Sequence, residues 1–280
     1  MSTDLANRIQ SAYAAREGLS PKTATPHLLG ALEAVMEGLE DGTLQAATYN
    51  LLEKQWQAQV WIKQAILLYF LTHESSPLQG SFTQFYDKVP LRFRHTTAED
   101  FQNLKIRIVP PASIRRGAYI APSAIIMPSF INIGASIGSG TMVDSWVTVG
   151  SCAQIGKQVH LSMGVGIGGV LEPLQTNPTI IEDHCFIGAG SQIVEGVIVE
   201  QGSVLSMGTF IGQSTAIYDR ESQETYYGRV PAYSVVIPGT LPRTGGPYSV
   251  QAAIIVKKVD AKTREKTAIN TILREALTQP

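Results

Sequence analysis

From Ile114 to Ile211 an aliphatic side chain returns at every sixth position, through Ile120, Ile126, Ile131, Ile137, Val143, Val149, Ile155, Leu161, Ile167, Ile181, Ile187, Ile193, Val199 and Leu205. Two steps depart from the period: Ile126 to Ile131 is one residue short, and Ile167 to Ile181 exceeds it by eight. A small or β-branched side chain stands two positions ahead, among them Ala118, Ala135, Thr141, Ala153, Cys185, Ser191 and Ser203, and glycine often follows, as at Gly138, Gly150 and Gly188. A helix cannot use a period of six, and a plain strand alternates over two. The pattern therefore describes short strands joined by regular corners, with one aliphatic and one small residue pointing into a narrow interior. Three such hexads make one coil of about 18 residues in a triangular parallel β-helix. An irregular β-sandwich does not account for this regularity.

The flanks follow other periods. Leu5, Ile9, Ala12 and Tyr13, then Leu28, Leu29, Leu32, Val35, Met36 and Leu39, carry helical spacing, and a third helix is expected from Gln55 to Leu71. Asp41-Gly42 reads as a turn and Pro77 to Gly80 as a longer loop. Toward the other end, Ala252 to Val256 reads as a strand, followed by a helix from Asp260, a suitable N-cap, to about Leu277. The predicted organisation is mainly β: an N-terminal helical domain over 1–108, a β-helix over 109–238 with an inserted loop near 169–180, and a C-terminal strand and helix over 239–280.

Composition sharpens this picture. Charged residues make up 16% of the chain, against roughly 25% in ordinary soluble domains. The deficit is local, because Ile114 to Gly212 holds nine charged residues and 16 of the 25 glycines. A net charge of −1 gives no bulk attraction to nucleic acid or anionic lipid. No run of 18 apolar residues suggests a membrane span and no secretory signal opens the chain, so a cytoplasmic location is expected. Cys152 and Cys185 show no metal or redox spacing and read as small buried apolar residues.

In a coil of about 18 residues, such a sequence interval becomes a spatial step of about 4.8 Å. Asp144 should then sit beside Ser162 and, if the excess before Ile181 is an eight-residue insertion, the same corner continues through Gly188 and Ser206. The excursion from Gly169 to Thr179 is a candidate wall of a cleft, with a plain surface loop as the alternative.

The segments TMVDSWVTVGSCAQIGKQVHLS, GVGIGGVLEPLQTNPTIIEDHCFIGA, VEGVIVEQGSVLSMG, YGRVPA and VKKVDAKTR, with FYDKVPLRF and WIKQAILL upstream, resemble the tetrahydrodipicolinate N-succinyltransferase family. The resemblance implies a left-handed β-helix homotrimer with active sites between subunits, acyl-CoA as co-substrate and an amino-dicarboxylate acceptor. It assigns Asp144, in MVDSW, to the acceptor amine, and Arg107, in KIRIVPP, to an acceptor carboxylate, which a planar guanidinium holds bidentately. Ser162, Met163 and Ser206 belong to the substrate side, and Gly166, Gly168, Gly169, Lys257, Lys258 and Arg264 to the CoA side, the last three with a solvated charged face as the alternative. Backbone N–H groups near Gly166 to Gly169 or Ser206 to Gly208 are candidates for the tetrahedral oxyanion. No metal is implied.

Four positions depart from the family pattern. Gly190 and Gln192 stand where the family carries an arginine and an active-site glutamate, Ala216 replaces another arginine, and Met163 replaces a glycine. Glutamine keeps the shape of glutamate without its proton-accepting charge, so Gln192 remains a site residue while acid/base work passes to Asp144, Glu195 or solvent. The lost cations open the alternative of acetyl-CoA as an effective donor, in a paralogue of specialised metabolism such as tabtoxin biosynthesis. A catalytically inactive β-helix scaffold is the alternative of another class. A zinc hydratase of the γ-carbonic anhydrase type needs three convergent histidines, whereas the repeats hold His160, expected to be structural, and His184.

Overall fold

Thr25 and Gly42 delimit the longest N-terminal helix. The computed structural model describes residues 2–80, 83–243, 245–259 and 271, and opens with α1 (Ser2–Ala14) and α2 (Pro26–Asp41). The Thr25 hydroxyl accepts the Leu28 N–H at 3.2 Å, Pro26 occupies the first turn, and Gly42 ends the helix at φ 81°. A hairpin follows, β1 (Ala47–Asn50) against β2 (Gln55–Ala58), so the third helix, α3 (Val60–Thr72), starts five residues later than its periodicity suggests. The cause is turn chemistry: Asn50 Oδ1 accepts the N–H of Leu52 at 2.9 Å and of Glu53 at 3.2 Å, and Lys54 takes φ 51°. A second hairpin, β3 (Ser76–Gln79) with β4 (Gln84–Asp87), occupies the region expected as loop. Pro77 is tolerated there because a two-stranded ribbon has free edges. A short α4 (Ala98–Leu104), closed by a Thr97–Asp100 capping box, lies outside the expected set.

The hexads form three parallel sheets. Face one stacks Tyr119, Ser136, Gln154, Ile180, Ile198 and Arg229. Face two stacks Arg107, Ile125, Met142, His160, Phe186, Val204 and Val235. Face three stacks Ser113, Phe130, Thr148, Gly166, Gln192 and Phe210. The pairing of Tyr119 with Ser136 carries the one-residue deficit, and that of Gly166 with Gln192 absorbs the eight-residue insertion. Inside, Ile126, Val143, Leu161, Ile187 and Leu205 are all 0% exposed, each burial contributing about 1.5–3 kcal/mol. Strand Arg107–Ile108 already belongs to the first coil, and Ser234–Pro242 runs through the expected boundary at 238. Ser249–Lys258, which contains the expected strand, pairs antiparallel with Ser234–Pro242 and parallel with Ala216–Asp219, covering the last coil. The helix expected over 260–277 lies outside the described residues.

The helical domain docks on the β-helix through a shared core, in which Ile133 and Cys152 join Ile9, Leu32, Met36, Ile62 and Ile66. The inserted loop is tied to it: Lys63 Nζ donates to the Thr176 carbonyl at 2.6 Å, and Asn177 Nδ2 donates to the Trp56 carbonyl at 3.0 Å. Lys63 is 0% exposed, and burial pushes its pKa down from the ordinary 10.5. A base with a lowered folded-state pKa leaves the unfolded chain holding more protons, so its contribution is complete above 10.5 and is lost as pH falls through the lowered value. Lys63→Met, of similar bulk, is therefore expected to change stability by less than about 1 kcal/mol at neutral pH, because relief of the buried charge offsets the lost hydrogen bond. It should remove the gain in stability just below pH 10.5 and speed amide exchange across 170–179. Urea unfolding across that range, with hydrogen exchange, checks both.

Candidate functional site

The corner between faces two and three carries the expected column. Asp144 N–H donates to the Leu161 carbonyl at 3.0 Å, Ser162 to Ile187 at 3.0 Å, Gly188 to Leu205 at 2.8 Å and Ser206 to Val236 at 2.8 Å, which stacks Asp144, Ser162, Gly188 and Ser206 one coil apart. Beside them the corner exposes large apolar side chains: Trp146 at 67%, Met163 at 57% and Met207 at 69%. The Asp144 carboxylate is about one-third exposed; its Oδ1 accepts the Ser145 N–H at 2.7 Å and its Oδ2 faces His160 Nε2 at 3.9 Å. The imidazole lies over the Phe186 ring with centroids 5.3 Å apart. His160, expected from the sequence to be structural, is the neighbour of the candidate base in the fold. The signal was available, because His160 pairs with Met142, two residues before Asp144.

Face three supplies the second element. Gln192 pairs with Gly166, and its carboxamide lies in the hollow left by the missing side chain, with Nε2 3.5 Å from the Gly164 carbonyl. A Cβ on Gly166 would come within 1.9 Å of Gln192 Oε1. Gly168 and Gly169 lie at the far corner of this face, so face three is bracketed by the corners of Asp144 and Gly168. Their lack of side chains has a stacking cause: a Cβ on Gly169 would meet Ser151 N at 2.4 Å, and one on Gly168 would meet Val194 Cα at 2.9 Å. Glu195 sits at that far corner too, where its carboxylate accepts the Gln213 N–H at 2.8 Å, away from Asp144. Of the amides considered for an oxyanion, those of Gly166, Gly168, Ser206 and Gly208 are committed to coil-to-coil hydrogen bonds with Ser191, Ile193, Val236 and Ala189.

The remaining expected residues are dispersed along face two. Arg107 is exposed on the first coil, two strand spacings or about 10 Å above Met142. Lys257 pairs with Val235 at the other end, four spacings or about 19 Å below His160. Lys258 Nζ holds Asp219 Oδ2 at 2.9 Å. Burial pushes the Asp219 carboxyl up, but Lys258 and the N–H groups of Glu221 and Ser222 outweigh it and hold the group below the usual range. The charge of Lys258 is thus engaged within the fold. Arg264 lies outside the described residues. Both cysteines are buried, and burial pushes the Cys152 thiol up to about 12, so it stays protonated.

Comparison with known proteins places the chain in a family. Residues 4–72 match the family described as tetrahydrodipicolinate N-succinyltransferase N-terminal, and 178–213 match the hexapeptide repeat of succinyl-transferase. The chain is 57% identical over 268 residues to the 2,3,4,5-tetrahydropyridine-2,6-dicarboxylate N-succinyltransferase of Polynucleobacter asymbioticus, covering 95% of this chain and 97% of that one. It is 54% identical over 272 residues to the protein of the same name from Acinetobacter baylyi, covering 97% and 99%. Among solved structures, a Campylobacter jejuni protein described as a 2,3,4,5-tetrahydropyridine-2-carboxylate N-succinyltransferase superposes with a TM-score of 0.55 at 17% identity, over 81% of this chain and 62% of that one. That likeness concerns the fold, a left-handed β-helix with helices at the N-terminal end.

Proposed function

The chain belongs to the tetrahydrodipicolinate N-succinyltransferase family, and on that premise we propose that it moves a succinyl group from succinyl-CoA to the amine of acyclic tetrahydrodipicolinate, L-2-amino-6-oxopimelate, on the route to diaminopimelate and lysine. The geometric observation that supports this best is the carboxylate of Asp144, about one-third exposed, beside His160. An ammonium has no lone pair and cannot attack a thioester. Asp144 binds it and takes one proton; the free amine attacks the thioester carbonyl, the C–N bond forms, the C–S bond breaks, and the second proton, lost from the nitrogen after attack, neutralises the departing thiolate to CoA-SH. His160, with its Nε2 3.9 Å from the carboxylate, receives the proton from Asp144 as the pair closes to hydrogen-bonding distance on substrate binding. Gln192, lying over Gly166, supplies hydrogen bonds and no charge.

Arg107 and Asp144 stand on different coils of one protomer, and the resemblance to the family supports a site completed by a second copy. The outward apolar groups of face three, Phe130 at 37% and Phe210 at 46% exposed, with the corner residues Trp146, Met163 and Met207, support a homotrimer that covers them. The stretch from Asp144 toward Lys257 suits an extended pantetheine arm. No described helix is long and apolar enough to cross a membrane, and we assign the enzyme to the cytoplasm, where CoA thioesters are made.

The donor is tested by initial rates with succinyl-CoA and acetyl-CoA against tetrahydrodipicolinate or L-2-aminopimelate. Succinyl-CoA is expected to lead in kcat/KM by about tenfold or more, the worth of one charge-assisted hydrogen bond to the succinyl carboxylate. Equal rates, or a lead for acetyl-CoA, would overturn that assignment and give the neutral positions Gly190, Gln192 and Ala216 a role in specificity.

A further inference from the structure

On the side of the β-helix away from Asp144, the β1–β2 hairpin stands off face one and encloses a cleft of about 1000 Å³, large enough for a small molecule of nucleotide size. Two polar side chains on its floor are almost wholly buried, Ser136 at 8% and Gln154 at 5% exposure. Gln154, which lines the cleft, directs its Nε2 to the carbonyls of Cys152, Ala153 and Gly134, and its Oε1 takes no part in those bonds. Among the described residues, no hydrogen bond engages that Oε1 or the Ser136 hydroxyl. Both atoms are open to the cleft rather than sealed in the core, so their hydrogen-bonding capacity is available to an occupant.

The walls add two further features. Tyr49 and Trp56 meet edge to face at 5.6 Å on the hairpin side, with Tyr119 on the facing side. At the mouth the acids are engaged: Glu182 accepts from Trp56 Nε1 at 2.8 Å and from the Gln201 N–H at 2.9 Å, Asp183 accepts the Lys157 N–H at 2.7 Å, and Glu200 holds Arg229. The ammonium groups of Lys54 and Lys157 carry no such bond among the described residues.

We propose that this cleft is a second small-molecule site, for an anion with a planar, hydrogen-bonding ring of the nucleotide type. Its ring lies against Trp56 and Tyr49, its donors and acceptors meet Gln154 and Ser136, and its anionic group meets Lys54 and Lys157. The proposal does not depend on the acyl-transfer reading, since none of these residues belongs to that site.

Adenosine monophosphate is the probe, titrated into the full-length protein by calorimetry, with adenosine and inorganic phosphate as separate arms. Saturable binding of the nucleotide is expected, with each fragment about tenfold weaker or worse. Ser136→Phe, which fills the floor, and Lys157→Glu, which reverses a charge at the mouth, should each weaken nucleotide binding by about tenfold or more while acyl transfer persists. Lys157→Glu is a surface change and keeps the test open if Ser136→Phe fails to fold. Absence of nucleotide binding overturns the proposal. So does binding that both variants leave unchanged, which would place the nucleotide in the CoA site, and so does adenosine binding as tightly as the nucleotide.

Discussion

Asp144→Ala is expected to lower kcat by about a thousandfold, within the range for removing a positioned general base, while the protein stays folded. The carboxylate is about one-third exposed at a corner, and its hydrogen bond to the Ser145 N–H is local, so the coil loses little when it goes. Asp144→Asn separates the two roles of the group. The amide keeps an oxygen for the Ser145 N–H but cannot take a proton, so it should show the same fall in kcat with a smaller change in KM. His160→Gln should cost less, because water can receive the proton from Asp144 in its place. Steady-state kinetics with circular dichroism on each variant measures this. Turnover by Asp144→Ala near the wild-type rate would remove Asp144 from the mechanism.

Gly150→Ala is expected to produce the largest loss of stability. A Cβ there would lie 2.1 Å from Gly169 N, 2.5 Å from Gly169 Cα and 2.7 Å from the Gly168 carbonyl carbon, all backbone. That backbone is held by its own ladder, through Gly168 N–H to Ile193 and Val170 N–H to Ser151, so the coils must part to admit a methyl group. The cost is put at about 3 kcal/mol, in the range of overpacked cores. For a chain of this size that lowers the melting temperature by roughly 5 °C. Gly190→Ala is the contrast: nothing lies within 4 Å of its Cβ, and its φ of 70° makes the penalty conformational, about 1 kcal/mol. Thermal denaturation of the pair separates a steric from a conformational need for glycine, and equal shifts would contradict the stacking argument.

Much of this architecture can be read in the chain because its interior is one-dimensional. Each coil meets the next at a constant interval, so the period alone places Asp144 beside Ser162 and carries the corner through Gly188 to Ser206 across the insertion. The helical domain obeys no such rule. The start of α3 depends on an Asn50 turn that a helical hydrophobic pattern hides, and the strand at Pro77 depends on having no outer neighbour. The inserted loop shows a similar limit. Its existence follows from the period, but its attachment through Lys63 and Asn177 to the helical domain joins residues more than a hundred positions apart.

The sequence by itself determined the β-helix, the corner that holds Asp144 and the family to which the chain belongs, because each rests on local spacing or on contiguous motifs. Only the tertiary structure decided that His160 faces Asp144, that Gln192 fills the hollow over Gly166, that Lys258 is engaged by Asp219, and that a polar-floored cleft opens behind the β1–β2 hairpin. These are contacts between outward-facing side chains. The hexad pattern constrains what points into the coil and leaves the outer surface free, so its chemistry emerges once the coils are stacked and the helical domain is docked on face one.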